Sequence, residues 1–168
     1  MRQRYYSIVN DPYFENGKKQ DDCRKIKLCF TLHHFSNSKG ERQNGLSTSY
    51  LNNLTIGDKI TCSISQNTRV LKNPTSPNPK LLIICMGTGV VPFVSILSQI
   101  KNLALETQIT MFYQCRDDSR TCYYRKFLID FFTDRSNSSI HLICSRDIAH
   151  NTNTSGVITR KGYLKEAL

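Results

Sequence analysis

The stretch Lys80-Leu-Leu-Ile-Ile-Cys-Met-Gly-Thr-Gly-Val-Val-Pro-Phe93 determines the fold class of this chain. Its run from Lys80 to Cys85 is almost wholly apolar, which predicts a parallel strand buried on both faces. Gly87-Thr-Gly89 ends the strand, and Pro92 to Lys101 follows as a helix with apolar residues three and four positions apart. A turn of this kind lets the backbone approach a phosphate at the start of the helix. The alternative is a tight strand-to-helix turn that binds nothing.

Strand and helix signals continue to alternate after this stretch. We predict a strand at Ile109 to Tyr113, a helix at Tyr123 to Phe132 and a strand at Ile140 to Cys144. Together these elements amount to half of a doubly wound parallel sheet. In such sheets ligands bind at the carboxyl ends of the strands.

Arginine follows two of the predicted strands at that edge. Cys115-Arg116 ends the second strand, and Ser145-Arg146 ends the third. The planar guanidinium forms paired charge-assisted bonds with a terminal phosphate, and serine adds a hydroxyl donor. The Ser145-Arg146 pair therefore favours NADPH over NADH, with ordinary surface residues as the alternative.

The chain has a different character before Lys80. Asn73-Pro-Thr-Ser-Pro-Asn-Pro79 is a stiff, non-helical connector, because proline restricts the backbone and lacks a donor. We place a domain boundary there, between residues 78 and 79. Upstream, three β-prone runs predict antiparallel sheet, at Tyr5 to Val9, Ile26 to Phe35 and Lys59 to Ser65. The polar stretches Asn10 to Asp22 and Ser36 to Asn44 are typical of loops.

Composition limits the function classes. The 168-residue chain has a formal net charge of +10, so an anionic partner is expected, yet no nucleic-acid-binding fingerprint accompanies its scattered basic residues. Its seven cysteines include no Cys-x-x-Cys pair, which argues against a zinc site and for reduced thiols. We see no signal peptide and no apolar stretch of the roughly 18 residues that a membrane span needs. A soluble, cytoplasmic protein is therefore expected.

Five short motifs occur in the order found in the diflavin reductases, and the chain resembles that family over nearly its whole length. They are Arg4-Tyr-Tyr-Ser7, Gly45-Leu-Ser-Thr48, Gly87-Thr-Gly-Val-Val-Pro-Phe93, Cys115-Arg116 and Ser145-Arg-Asp147. The resemblance implies a ferredoxin-NADP reductase-like fold: a partial antiparallel FAD-binding β-barrel at residues 1–78 and a partial Rossmann-like NADPH-binding α/β domain at residues 79–168. It also implies hydride transfer from NADPH to FAD, with onward electron transfer to FMN in a separate flavodoxin-like domain or to another redox protein.

The resemblance also implies which residues contact FAD. It assigns Arg4 to the pyrophosphate, Tyr6 to the isoalloxazine ring, Ser7 to the neighbourhood of flavin N5 and Phe35 to the adenine. The full set is Arg4, Tyr5, Tyr6, Ser7, Cys29, Phe30, Thr31, Phe35, Gly45, Leu46, Ser47 and Thr48. Core packing is the alternative explanation for Phe35, and Thr48 is also expected to cap a helix.

On the NADPH side, the resemblance assigns Thr88 to the pyrophosphate and Ser145 with Arg146 to the 2′-phosphate. Cys115 is expected beside the nicotinamide, where it and Ser7 would assist hydride transfer. The segment Lys161-Gly-Tyr163 resembles a family element whose lysine meets phosphate and whose tyrosine stacks on adenine. The full set is Gly87, Thr88, Gly89, Cys115, Arg116, Ser145, Arg146, Lys161, Tyr163 and Lys165. The alternative for Cys115 is a small buried apolar residue.

The sequence also departs from the family. Cys85-Met86-Gly87 stands where the family usually has Gly-Pro-Gly, so a side chain at Cys85 is expected to crowd the backbone and weaken NADPH binding. The chain begins at the Arg-x-Tyr-Ser strand and reaches Leu168 before the family's last strands, which suggests a fragment truncated at both ends or a degenerate copy. Besides the enzyme, two hypotheses stay open: a non-catalytic nucleotide- or partner-binding module of the same fold, and a basic nucleic-acid-binding protein.

Overall fold

The structure is a computed structural model that describes residues 4–9, 14–15, 18–19, 25–65, 79–117, 121–147 and 153–166. Contacts between these residues divide them into two compact units. The smaller unit contains residues 4–6 and 30–65, and the larger unit contains the described parts of residues 7–29 and 75–168. Asn73 to Asn78 of the predicted connector lie outside the described residues.

Twelve strands and helices occur in the described residues, with 3₁₀ turns at Gly87–Val90 and Leu164–Glu166. In chain order they are β1 (Phe14–Glu15), β2 (Lys18–Lys19), β3 (His34–Ser36), β4 (Arg42–Asn44), α1 (Leu46–Asn52), β5 (Lys80–Met86), α2 (Val91–Asn102), β6 (Gln108–Asp117), α3 (Arg125–Thr133), β7 (Ser139–Asp147), β8 (Asn153–Thr154) and β9 (Val157–Lys161).

The larger unit is built around a five-stranded sheet in the order β5-β6-β7-β9-β8. Strands β5, β6, β7 and β9 run parallel, and β8 runs antiparallel to β9. Every strand and helix predicted from Lys80 onward is found, and β8 and β9 are additional. The fold class is confirmed, because short antiparallel ladders precede a parallel α/β sheet of the ferredoxin-NADP reductase-like type.

One face of this sheet carries the hydrophobic core. Alternate residues of β5, β6, β7 and β9 form one buried cluster with apolar residues of α2 and α3. The helix residues in it are Val91, Val94, Leu97, Ile100, Leu128, Phe131 and Phe132. Of the residues whose spacing predicted α2, Leu97 and Ile100 are buried, and Phe93 and Ile96 are half-buried against the cluster. Full burial of one such side chain contributes about 1.5–3 kcal/mol.

The start of α3 differs from the predicted start at Tyr123. The helix begins at Arg125, because Tyr124 has a left-handed φ of 59° and cannot be its first helical residue. The side-chain pattern marks the apolar face of a helix, but the conformation that precedes the helix is set by the turn.

Strand β5 is buried on one face only, so the prediction of burial on both faces is wrong. Ile83 and Cys85 lie in the core, whereas Leu82, Ile84 and Met86 are 60%, 42% and 59% exposed. Within the described residues, β5 has one neighbouring strand, and both long helices cover the same face of the sheet. An apolar run specifies an extended strand but not the number of layers that cover it.

The smaller unit contains the antiparallel pair β3 and β4, followed by α1. Asn37 closes the turn between the strands, since its Oδ1 accepts hydrogen bonds from the N–H groups of Lys39 and Glu41, each at 2.9 Å. Strand β4 lies in Ser36 to Asn44, so the prediction of a loop throughout that stretch is wrong. All three β4 residues are exposed, and a ladder on the surface needs no apolar side chains.

Three predicted strands of the first half are reduced or absent. The strands predicted at Tyr5 to Val9 and Ile26 to Phe35 are replaced by an isolated antiparallel bridge between Ile8 and Leu28. Of the second predicted strand, only the last two residues, His34 and Phe35, belong to β3. Lys59 to Ser65 forms no strand. Ile60 and Ile64 are exposed there and face no core. Alternation predicts an extended chain, but a strand also needs a neighbour to satisfy its backbone groups.

Asn10 to Asp22, predicted as a loop, contains the two-residue strands β1 and β2, which pair with each other. Among the described residues, no helix has the length and apolar character required to cross a membrane.

Candidate functional site

The carboxyl ends of four parallel strands meet at one edge of the larger unit's sheet. Every residue predicted for NADPH lies at or directly after these ends. Gly87, Thr88 and Gly89 follow β5, Cys115 and Arg116 lie in β6, Ser145 and Arg146 lie in β7, and Lys161, Tyr163 and Lys165 lie at or after the end of β9. The structure therefore brings this set together at the edge where open α/β sheets bind ligands.

The turn after β5 has the backbone geometry that a close approach to phosphate requires. Gly87 has a φ of +50°, in the left-handed region where a side chain would be strained. Gly87–Val90 is a 3₁₀ turn that leads directly into α2. Neither element has a side-chain cap, and the first turn of α2 contains no acidic residue. The positive end of α2 is therefore not neutralised by its own side chains.

Cys85 does not crowd this turn, so that part of the expectation is wrong, and a weakened NADPH affinity stays a prediction. Its side chain is buried in the core cluster, on the sheet face that the helices cover. Burial raises the pKa of the Cys85 thiol to about 12, so the thiol stays protonated at neutral pH.

A register shift between β6 and β7 falls at two arginines and a serine. Pairing of the strands is regular up to Cys115 and Cys144 and shifts beyond them. One residue of β6, Arg116, lies opposite two residues of β7, Ser145 and Arg146, as in a β-bulge. Both arginines are exposed and Ser145 is half-buried. This part of the edge therefore carries two guanidinium groups and a hydroxyl, which are groups that suit an anion.

Thr121 holds the chain that follows Arg116. Its Oγ1 accepts hydrogen bonds from the N–H groups of Arg116 and Asp117, both at 2.9 Å. Its own N–H donates to Asp117 Oδ1 at 3.2 Å. Sequence reasoning missed Thr121. The signal was Asp and Thr four residues apart after a strand, since short polar side chains of this kind close turns by bonding nearby backbone groups.

A second set of hydrogen bonds attaches the segment Lys161-Gly-Tyr163 to the same edge. The N–H of Gly162 donates to the Cys144 carbonyl at 3.1 Å, and the N–H of Leu164 donates to Gln114 Oε1 at 2.7 Å. The exposed Lys161 and Tyr163 side chains are thereby kept beside the ends of β6 and β7. Gln114 was also missed, because nothing in its local sequence indicates a partner 50 residues away.

Cys115 faces the core of the larger unit. The side chain is 5% exposed, and its Sγ lies 3.6 Å from Cys144 Sγ, on the directly opposite residue of β7. These surroundings match the alternative of a small buried residue. The role of Cys115 beside a nicotinamide stays a prediction.

The residues predicted for FAD fall into both units. Ser7 and Cys29 belong to the larger unit. Burial raises the pKa of the Cys29 thiol, and a hydrogen bond with Tyr124 partly offsets that rise. The smaller unit contains the others, Arg4, Tyr5, Tyr6, Phe30, Thr31, Phe35, Gly45, Leu46, Ser47 and Thr48.

Of the four aromatic side chains of this set in the smaller unit, Tyr5 and Phe35 are exposed, and Tyr6 and Phe30 are half-buried. Tyr6 packs edge-on against Phe30, with ring centroids 6.2 Å apart. Phe35 stacks on His33, also at 6.2 Å, and is exposed. Core packing is therefore the wrong explanation for Phe35. Tyr5 is 84% exposed.

Thr48 does not cap α1, which contradicts that expectation. The helix begins at Leu46, and its N-cap residue is Gly45. Thr48 Oγ1 instead donates to the Gly45 carbonyl at 3.3 Å and accepts from the His33 N–H at 3.2 Å. A Cβ on Gly45 would lie 3.0 Å from His33 Cβ, so glycine permits this close approach.

Comparison with known proteins identifies relatives over both halves of the chain. The family model described as "Ferric reductase NAD binding domain" matches residues 79–167. The chain is 24% identical over 127 residues to the NADPH–cytochrome P450 reductase of Dictyostelium discoideum, covering 74% of this chain and 18% of that protein. It is 33% identical over 73 residues to NADPH-dependent diflavin oxidoreductase 1 of Debaryomyces hansenii, covering 44% and 12%. It is 29% identical over 94 residues to the chloroplastic ferredoxin–NADP reductase of Mesembryanthemum crystallinum, covering 56% and 24%. The chain spans less than a quarter of each of these relatives.

Proposed function

We propose that this chain, which belongs to the family of the ferric reductase NAD binding domain, binds NADPH and takes part in hydride transfer from NADPH to FAD. The region is diflavin reductase-like, and the proteins to which it is similar include NADPH-dependent reductases. The complete reaction of those longer proteins, including electron transfer to FMN in a flavodoxin-like domain or to another redox protein, is part of the proposal.

The observation that carries the proposal is the grouping of Arg116, Ser145 and Arg146 where β6 and β7 lose register. Two guanidinium groups and a hydroxyl suit a phosphate monoester, because charge-assisted hydrogen bonds are roughly twice as strong as neutral ones. The ribose 2′-phosphate of NADPH is such a group, and NADH lacks it. We therefore expect preference for NADPH.

The remaining residues of the edge suit the rest of the nucleotide. Gly87 and Thr88 would present backbone N–H groups to the pyrophosphate, in a turn without a competing side-chain cap. Lys161 and Lys165 add positive charge, and the exposed ring of Tyr163 suits stacking against adenine. These assignments follow the family resemblance and fit the exposure of each side chain.

On the flavin side, we propose that the exposed Arg4 meets the FAD pyrophosphate and that Tyr6 meets the isoalloxazine ring. Gly45 and Thr48 would bring the start of α1 near the same pyrophosphate. Nicotinamide and flavin, when bound, supply the redox chemistry themselves. The task of this chain is to bind and orient them, and Ser7 would lie near the flavin atom that accepts hydride.

The burial of Cys115 favours a second candidate, a nucleotide-binding module without turnover. In the described conformation its thiol is on the helix-covered side of the sheet, against Cys144. A thiol so placed does not reach a ligand at the edge. The same edge would still bind NADPH, and only the catalytic contribution of Cys115 would be lost.

One experiment separates these candidates. The purified chain is supplied with FAD and titrated with NADPH and NADH by calorimetry, and the visible flavin band is then followed anaerobically after NADPH is added. Bleaching of protein-bound flavin supports the enzyme. Binding of NADPH without bleaching supports the binding module, and equal affinity for NADPH and NADH, or no binding of either, refutes the proposed site.

A further inference from the structure

Tyr113 lies in β6 with its ring fully buried in the core and its hydroxyl near the carboxyl edge. The hydroxyl accepts a hydrogen bond from the N–H of Tyr123 at 3.0 Å and donates to the Gly87 carbonyl at 3.2 Å. The carbonyl of Thr121, at 3.5 Å, shares the same hydrogen. Burial raises the pKa of Tyr113, so the hydroxyl stays protonated and remains a donor throughout the neutral range.

These contacts connect two turns that are far apart in sequence. Gly87 opens the turn between β5 and α2, whereas Thr121 and Tyr123 lie between β6 and α3. Thr121 also holds the backbone of Arg116 through its own hydroxyl. The phenol of Tyr113 therefore couples the turn proposed for the pyrophosphate to the segment that carries Arg116.

The peptide after Gly87 determines what this coupling does. Its carbonyl oxygen and the N–H of Thr88 belong to one planar trans peptide and point in opposite directions. A hydrogen bond that holds the Gly87 carbonyl toward the buried phenol therefore directs the Thr88 N–H away from the core. Gly87 has a left-handed φ and opens the 3₁₀ turn, so the phenol adds a side-chain anchor to the backbone hydrogen bonds of that turn.

We propose that Tyr113 is a positioning residue for the dinucleotide: through the Gly87 carbonyl it orients the Thr88 N–H toward the pyrophosphate. This inference rests on the proposed NADPH site and deepens it. Tyr113 itself touches no nucleotide. Its effect is confined to the pyrophosphate side of the site, because Ser145 and Arg146 lie in β7 and the Arg116 N–H keeps its own hydrogen bond to Thr121 Oγ1 when the phenol is removed.

The test compares Tyr113→Phe with the unaltered chain, using NADPH and adenosine 2′-monophosphate as ligands in calorimetry. Loss of one hydrogen-bond anchor should raise the Kd for NADPH about fivefold to tenfold. The Kd for adenosine 2′-monophosphate, which lacks the pyrophosphate, should change less than about twofold. Tyr124→Phe is the matched control, because its hydroxyl forms a hydrogen bond with Cys29. This variant should leave both Kd values unchanged.

Equal weakening of both ligands in a folded Tyr113→Phe chain would show a general structural role and overturn the proposal, as would unchanged NADPH affinity. If the unaltered chain binds no NADPH, the proposed function fails together with this inference. If Tyr113→Phe does not fold, amide hydrogen exchange on the unaltered chain tests the proposal instead. NADPH should then slow exchange at Thr88 and also at Tyr123, whose N–H the ligand does not touch, and protection at Thr88 alone would overturn the coupling.

Discussion

Replacement of Gly156 by alanine should destabilise the larger unit more than replacement of Gly87 by alanine. Gly156 lies between β8 and β9 with a φ of +75°, and a Cβ there would lie 2.5 Å from the Phe132 carbonyl oxygen and 3.2 Å from that of Ser138. The Gly156 carbonyl also accepts a hydrogen bond from the Ile140 N–H at 2.8 Å. Because that bond joins Gly156 to the start of β7, the backbone cannot move away without a cost.

The magnitude follows from two separate terms. Left-handed backbone costs a residue with a Cβ about 1–2 kcal/mol, and insertion of a methyl group into filled space costs about 1–3 kcal/mol. Gly156→Ala should therefore lower the free energy of unfolding by about 2–5 kcal/mol. Gly87 has a comparable φ of +50° but no atom within 4 Å of an added Cβ, so Gly87→Ala carries only the first term.

Urea unfolding followed by the helical ellipticity measures both variants. The two long helices α2 and α3 belong to the larger unit, and α1 has seven residues, so this signal reports mainly the larger unit. The midpoint should fall further for Gly156→Ala, with an unchanged slope. Equal free energies of unfolding for the two variants would refute the steric part of the reasoning.

Two further predictions concern the site and its surroundings. Arg146→Gln should weaken NADPH binding about tenfold or more and leave NADH binding unchanged, since a hydrogen bond to a charged group contributes about 1.5–3 kcal/mol. The control Lys126→Gln removes an exposed charge from α3 and should alter the affinity for neither nucleotide. Calorimetry measures both variants. An equal loss for both nucleotides would argue against contact with the 2′-phosphate. Because burial raises its pKa to about 12, Cys85 should stay a protonated thiol at pH near 8 and react with a maleimide far more slowly than the exposed Cys62. Mass spectrometry after brief labelling checks this, and comparable rates for Cys62 and Cys85 in the folded chain would contradict it.

Elements of the larger unit were predictable where each one carries its own periodicity. Helix α2 is an example, because the spacing of Leu97 and Ile100 marks its buried face without knowledge of any partner. Strand β9 was missed although Val157 and Thr159 alternate inward. A five-residue strand gives too little pattern to stand out from the polar residues before it.

In the smaller unit, local pattern alone was a poor guide. Ile60 and Ile64 have the alternation of a strand, yet they lie in irregular, exposed chain. Strand β4 has no apolar alternation at all and is still paired, because β3 supplies its hydrogen-bond partners. Strand formation depends on a neighbour, and no single stretch of sequence encodes which neighbour is present.

For the candidate site, the residue types at the strand ends could be used to predict its members, but the hydrogen bonds between distant residues could not be predicted. Arg116, Ser145 and Arg146 could be named because the carboxyl edge of a parallel sheet is a known place for ligands. The bond of the Tyr113 hydroxyl to the Gly87 carbonyl and that of the Gln114 amide to the Leu164 N–H could not, since these partners lie 26 and 50 residues away. Such contacts exist only once the sheet has assembled.

The irregularity after Cys144 has a further consequence for how this protein tolerates change. Successive side chains of a strand alternate between the two faces of the sheet, so one additional residue moves each later side chain to the opposite face. Ile140, Leu142 and Cys144 lie in the core before the shift, whereas Ser145 and Arg146 lie at the shift and outside the core. Substitutions at these two positions can therefore change the chemistry of this edge of the sheet without repacking the interior beneath it.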